Sequence, residues 1–212
     1  MTNRININRI HFPITSLGYG SRVGIWFQGC RIQCPGCVSR DTWQSGLGQI
    51  NLDQVTELIS PWVAKADGLT LSGGEPFDQP AALALLVRWW RQHGQGDIFV
   101  FSGYTSETLW RQHASIVSEI DVLLSDPFDA TQLQSKPLRG SDNQRMHLLS
   151  PLAQQRYATL SKRNTLDVCF DSETVWIAGI PKPSDLAEIR QRLQAMGISV
   201  NTSNQLSEGV RA

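Results

Sequence analysis

A chain of 212 residues, 41% hydrophobic and 18% charged, is long enough to bury the core of one domain with at most a small appendage. Its 19 basic and 19 acidic residues cancel, which excludes a platform built on bulk positive charge and removes nucleic acid from the expected partners. No stretch approaches the roughly 20 apolar residues of a membrane span, and Met1 to Arg9 lacks an apolar signal core, so the protein is expected in the cytoplasm, off the membrane.

Arg4 to Ile14 alternates Ile5, Ile7, Ile10, Phe12 and Ile14, the pattern of an edge strand or N-terminal arm. Val23 to Gln28 reads as the first buried strand. Asn51 followed by Gln54 predicts a capped helix with Leu52, Val55, Leu58 and Ile59 on one face, kinked or restarted at Pro61. Gly68 to Leu71 is a second strand, and Ser72-Gly73-Gly74-Glu75-Pro76 follows it. Pro80 suits the first turn of a helix reaching His93, with Gly94 as its terminator. Asp97 to Ser102 is a third strand, closed by Gly103-Tyr104-Thr105, and a helix takes up Glu107 to His113. Asp121 to Ser125 is a fourth strand, closed by Asp126-Pro127-Phe128.

Asp129 to Ser150 is polar and weakly periodic, which predicts a loop. Pro151 to Arg163 reads as a helix. Thr165 to Phe170 and Thr174 to Ala178 form a hairpin around Asp171-Ser172-Glu173. Ser184 caps a helix to Met196, Gly197 ends it, Ile198 to Val200 is a last strand, and 201–212 is a frayed tail. Strands alternating with helices predict an α/β fold with mostly parallel strands. All four buried strands end in Gly, Asp, Cys or Ser, and such folds gather ligands at C-terminal strand ends. The expected division is a core over 1–150 and an α+β extension over 151–212, packed on the core, with a disordered tail.

Three of the four cysteines, Cys30, Cys34 and Cys37, form a C-x3-C-x2-C run directly after the first buried strand. So few cysteines make no disulfide framework, and thiols this close are natural metal ligands. Structural zinc wants four donors; a Cys3His site with His11 or His147 is one alternative. A four-iron, four-sulfur cluster with one open iron is the other. Cys169 reads as a small core residue.

The run Cys30-x3-Cys34-Pro35-Gly36-Cys37, followed by Ser72-Gly73-Gly74-Glu75-Pro76 after the next strand, resembles the radical S-adenosylmethionine superfamily. More narrowly, the sequence is similar to the anaerobic ribonucleoside-triphosphate reductase activating protein family. The matching pieces include Asp41-Thr42-Trp43, Phe101-Ser102-Gly103-Tyr104-Thr105, Asp121 to Leu124 with Pro127-Phe128, and Arg139-Gly140-Ser141 with Asn143-Gln144-Arg145. They run from about residue 15 to 147, and the segment after Ser150 has no counterpart.

The resemblance implies an incomplete (βα) barrel with a laterally open mouth. It implies Cys30, Cys34 and Cys37 as ligands of one [4Fe-4S] cluster, whose open iron binds S-adenosylmethionine. Gly73, Gly74 and Glu75 would support the methionyl ammonium. Ser102 and Tyr104 would lie near the ribose, and the backbone of Gly36, Cys37 and Val38 near the adenine. A flavodoxin- or ferredoxin-type donor would supply an electron, and the resulting radical would take a hydrogen from a backbone glycine of a partner glycyl-radical enzyme. No general acid or base is implied. A radical enzyme acting on another peptide, nucleotide or small molecule, and a zinc- or cluster-binding module without turnover, are the competing functions. Asp126 reads as a turn residue ahead of a cation ligand, Arg139 and Arg145 as loop or partner contacts, and Trp89-Trp90 as core with a partly exposed face.

Overall fold

The computed structural model describes residues 4–160, 166–170 and 175–197. Its centre is a seven-stranded sheet of β1 (Arg4–Ile14), β2 (Arg22–Phe27), β3 (Gln49–Asn51), β4 (Gly68–Gly73), β5 (Asp97–Phe101), β6 (Val122–Ser125) and β7 (Arg145–Leu148). The order is β3-β1-β2-β4-β5-β6-β7. Strands β2, β4, β5 and β6 pair in parallel, while β1 and β7 run antiparallel to their neighbours. The fold is therefore mixed α/β with a mostly parallel sheet.

Two of these strands depart from the expectations. β3 caps part of β1, pairing Arg4–Asn6 with Gln49–Asn51, so β1 is not the edge there. β7 forms inside the segment read as loop. Its Met146 and Leu148 pack beside Phe99, Val122 and Leu124, a contact partner that four residues alone do not advertise.

The outer face is covered by α1 (Leu52–Val63), α2 (Pro80–His93) and α3 (Ser106–Val117). With a period of two, Val23, Ile25 and Phe27 of β2 point to this side and meet Val55, Ile59, Leu83, Leu86 and Leu109. Leu58, expected on the buried face of α1, is 50% exposed. Pro61 does not break α1. The carbonyl of Glu57, which Pro61 cannot bond for want of an N–H, accepts the Ser60 hydroxyl at 2.9 Å instead. Gly94 does end α2, but in extended rather than left-handed backbone. Glycine is required there because a Cβ would lie 2.5 Å from the Trp90 ring. Trp90 is fully buried, and Trp89 stacks on His93.

The inner face is covered by the chain's own C-terminal part: α4 (Pro151–Tyr157), β8 (Leu166–Phe170) and β9 (Val175–Gly179). Phe99, Val122 and Leu124 are buried with Ala153 and Tyr157, and Ile14 and Leu17 with Ala178. The Asp167 carboxylate fastens the β8–β9 hairpin by accepting the N–H and hydroxyl of both Thr15 and Ser16 at 2.6–2.9 Å. α4 stops at Tyr157, short of the expected end at Arg163; 158–160 are no longer helical, and 161–163 lie outside the described residues. α5 (Pro183–Ala195) begins earlier than expected, because the Asp185 carboxylate accepts the Lys182 N–H at 2.9 Å and makes Lys182 the cap. The hairpin turn at 171–174, the proposed strand at 198–200 and the tail to 212 lie outside the described residues.

At the N-terminal ends of the parallel strands sits a closed ionic knot. Arg22 and Asp97 are both fully buried and paired at 3.0 Å. Arg22 also donates to Thr70 Oγ1 and to the carbonyls of Leu69, Tyr19 and Asp97. Asp97 accepts the Tyr157 hydroxyl at 2.8 Å and is bonded to Arg156. Burial pushes the Asp97 carboxyl up, but Arg22, Arg156 and Tyr157 together outweigh it and hold its pKa below the usual value.

Candidate active site

The cysteine loop is fixed by backbone bonds before any side chain acts. The N–H of Gly29 bonds the Thr42 carbonyl at 2.7 Å, and that of Cys30 bonds Trp43 at 3.1 Å. Cys37 N–H closes a turn on the Cys34 carbonyl at 3.0 Å, with Gly36 left-handed at φ 79°. Against this loop lies the end of β4. The N–H of Gly74 bonds the Phe27 carbonyl at 2.8 Å, and that of Glu75 bonds Gly29 at 2.9 Å.

This contact explains Gly73 and Gly74. A Cβ on Gly73, at φ 99°, would lie 2.6 Å from the backbone of Phe27, and one on Gly74 would overlap the Gly29 carbonyl. The pair therefore permits two strand ends to touch.

Cys30, Cys34 and Cys37 line one cavity with Ser72, Gly73, Gly74, Glu75, Ser102 and Gly103. Ile32, Trp43, Phe101, Phe128 and Gln144 complete its walls. Of the expected site residues, the structure thus brings together the three cysteines, Gly73, Gly74, Glu75 and Ser102. Gly36 and Val38 are exposed outside the lining; the place where a Cβ of Gly36 would sit faces Ala130 and Phe128. Tyr104 is not in the lining either. Its hydroxyl donates to Asp78 Oδ1 at 2.7 Å, and burial with this bond raises its pKa to about 12.

Glu75 is the electrostatic centre of the cavity wall. Its carboxylate accepts the Phe77 N–H at 3.0 Å, the Ser102 hydroxyl at 2.9 Å and the Gly103 N–H at 2.8 Å. Full burial still dominates and raises its pKa to about 7. Burial also lifts Cys30 to about 11 and raises Cys34 and Cys37. Without added positive charge these sulfurs are held as thiols. Iron supplies that charge, and the N–H groups of Phe128 toward Cys34 and Ser39 toward Cys37 are placed to bond the thiolates. The donor set fits an iron–sulfur cluster.

The zinc alternative finds no fourth ligand where it was sought. His11 lies edge-on to Trp176 at 4.7 Å between ring centres, and His147 contacts Ser125 Oγ at 3.1 Å and the Trp110 ring. Neither lines the cavity. Asp126, at φ 84°, is bonded to Arg145 Nε at 2.7 Å and Nη2 at 2.8 Å, and accepts the Ser125 hydroxyl. It is a turn residue held by an ion pair. Burial alone would raise its pKa, but the bonds from Arg145 and Ser125 draw it below the usual value. Arg145 further pairs with Glu107, so from the start of β7 it ties the Asp126 turn to the first turn of α3.

Sequence reasoning gave no role to Ile32, Trp43, Phe101, Phe128 or Gln144 as lining residues. Four of them sit within the matched motifs, which was the available signal. Gln144 earns its place by geometry: its amide accepts the Gly140 N–H at 2.8 Å and donates to the Asp126 carbonyl, closing the loop over the cavity.

Residues 16–147 match the family model described as a 4Fe-4S single cluster domain. The cysteine cavity and this match define the class: a protein built around one such cluster. The anaerobic ribonucleoside-triphosphate reductase-activating protein of Enterobacteria phage T4 is 32% identical over 148 residues, 67% of this chain and 93% of the phage protein. Its counterpart in Escherichia coli (strain K12) is 32% identical over 149 residues, 66% of this chain and 96% of that protein. A shorter match, 37% over 67 residues, reaches 27% of the pyruvate formate-lyase-activating enzyme of Listeria monocytogenes. The crystal structure of QueE from Escherichia coli is similar at 20% identity and a TM-score of 0.41, over 48% of this chain and 54% of that one. The chain belongs to the anaerobic ribonucleoside-triphosphate reductase-activating protein family.

Proposed function

We infer that this chain is a radical S-adenosylmethionine enzyme that activates a glycyl-radical partner. The observation that carries the reading is that three thiols and a Gly-Gly-Glu turn line one and the same cavity. Cys30, Cys34 and Cys37 would hold one [4Fe-4S] cluster, leaving an iron open for S-adenosylmethionine. When bound, the pair supplies reductive cleavage of the sulfonium and hydrogen abstraction from the substrate. The chain's residues position and shield that chemistry. Gly73, Gly74 and Glu75 would bear on the methionyl ammonium, which the Glu75 carboxylate meets as an anion. Ser102 would act near the ribose through the wall it shares with Glu75. Backbone of Gly36, Cys37 and Val38 at the rim would approach the adenine. Tyr104 would serve there only by leaving Asp78.

The substrate proposed is a backbone glycine of a ribonucleotide-reductase-like partner, with an electron from a flavodoxin- or ferredoxin-type protein in the cytoplasm, where thiols stay reduced. We read the sheet as an incomplete barrel over 1–150, with 151–212 as an extension packed on it. That extension favours a second reading in which the substrate is another peptide, nucleotide or small molecule, because Phe101 of the cavity wall packs against the same small core, Ile14, Leu17 and Ala178, as Trp176 and Ile180 do.

Anaerobic reconstitution tests the reading. About four irons per chain, a thiolate-to-iron absorption band and reductive cleavage of S-adenosylmethionine are the expected result. Cys34→Ala is expected to abolish all three, and full cleavage by that variant would overturn the cluster assignment. A glycyl-radical resonance on a co-expressed partner separates the first reading from the second.

A further inference from the structure

The structure assigns Asp78 as a positioning residue that locks the first cluster cysteine, Cys30, to the two neighbouring strand ends; the assignment rests on the cluster reading above. Asp78 ends a short helical turn, Pro76–Asp78, just after the Gly-Gly-Glu turn. Its side chain is 10% exposed and accepts three donors from two other loops. The Arg31 N–H bonds Oδ2 at 2.8 Å, the Arg31 Nε–H bonds Oδ1 at 2.8 Å, and the Tyr104 hydroxyl bonds Oδ1 at 2.7 Å.

These bonds fall immediately after Cys30. On its other side the Gly29 N–H bonds Thr42 and the Gly29 carbonyl accepts Glu75, while Cys30 itself bonds Trp43. The backbone of Cys30 is thus held from before, at and after the residue. Cys34 and Cys37 sit in a turn closed chiefly on itself, between the Cys34 carbonyl and the Cys37 N–H. An aspartate is the shortest side chain that offers one oxygen to a backbone N–H and the other to a guanidinium and a phenol together. The same bonds tie the end of β5, through Tyr104, to the cysteine loop. Fixing Cys30 before iron arrives spares the cluster the cost of ordering its first ligand.

The test needs no cluster. In the metal-free full chain under reducing, anaerobic conditions, iodoacetamide labelling of each cysteine is followed by peptide mass spectrometry. Labelling rate reports both access to the sulfur and its thiolate fraction, and loosening a buried thiol raises both. In Asp78→Ala, Cys30 is expected to label about threefold faster or more, the effect of losing one or two ordinary hydrogen bonds, while Cys37 keeps its rate. Asp78→Asn, which keeps one acceptor, is expected between the two. Arg31→Ala, which spares the backbone bond to Asp78, is expected to move Cys30 in the same direction by less and covers the case that Asp78→Ala does not fold. Unchanged Cys30 labelling in both alanine variants, or equal acceleration of all three thiols, would overturn the assignment. Reconstitution of the wild type judges the cluster reading separately: failure to take up iron there refutes that reading and leaves the labelling comparison intact.

Discussion

The two ends of the parallel strands are built on opposite electrostatic plans. At the N-terminal ends, Asp97 is buried but meets two guanidiniums and a phenol, so its pKa is drawn down. At the C-terminal ends, Glu75 is equally buried but meets only neutral donors, so its pKa rises to about 7. One end is a saturated knot that holds strands together. The other keeps thiols and a carboxyl of raised pKa facing a cavity, with no cation among the carboxyl's hydrogen-bond partners in the described residues. Stability and chemistry are thereby separated along the length of the same strands.

Asp97→Ala should break the first plan most severely. It leaves Arg22 buried and unpaired, a loss of about 3–5 kcal/mol in urea unfolding. Chain that remains folded should keep the wild-type order of cysteine labelling. Gly74→Ala comes next. Its methyl group overlaps the Gly29 carbonyl, so the strand ends must part. A loss of about 1–3 kcal/mol is expected, together with a fall in reconstituted iron. A variant that kept full iron would show that the two loops need not touch.

Acid and base separate the two ends by sign. Asp97, with a lowered pKa, contributes stability that is present above its ordinary value of 3.8 and lost as pH falls through and below it. Glu75, raised from 4.5 to about 7, contributes stability that is present below 4.5 and lost as pH rises through about 7. In the metal-free protein Glu75→Gln should flatten the decline between those values and leave the acid limb unchanged. A decline that persists undiminished in the variant would assign it to other groups. The smallest effect is expected for Tyr157→Phe, which removes one bond to Asp97 and the acceptor of the Tyr19 N–H, about 1 kcal/mol by denaturant titration.

Much of this was legible in the order of residues. β2, β4, β5 and β6 are apolar runs punctuated at their ends, and burial on both faces is why they read as continuous hydrophobic stretches. The three cysteines and the Gly-Gly-Glu turn were legible because spacing and strand order put them at the same end. β3 was not, since Gln49–Asn51 is largely exposed and is a strand only through backbone pairing with Arg4–Asn6. The hydroxyl partner of Tyr104 was hidden for a similar reason. A strand-end tyrosine can turn into a cavity or away from it, and the choice was made by Asp78, 26 residues earlier. The ionic knot was invisible because Arg22, Asp97 and Arg156 lie far apart in the chain and each looks like a surface charge.

The cover on the inner face bears on where this protein can be divided. The family match stops at residue 147, and a chain cut there would seem a minimal version of the enzyme. Yet Phe99, Val122 and Leu124 owe their dryness to Ala153 and Tyr157, and Asp97 loses Arg156 and Tyr157 with the same cut. The shortened chain would carry a bare apolar strip along two central strands and a weakened knot beneath it, the recipe for self-association. The inner face of the sheet is kept dry by residues that lie beyond the family match.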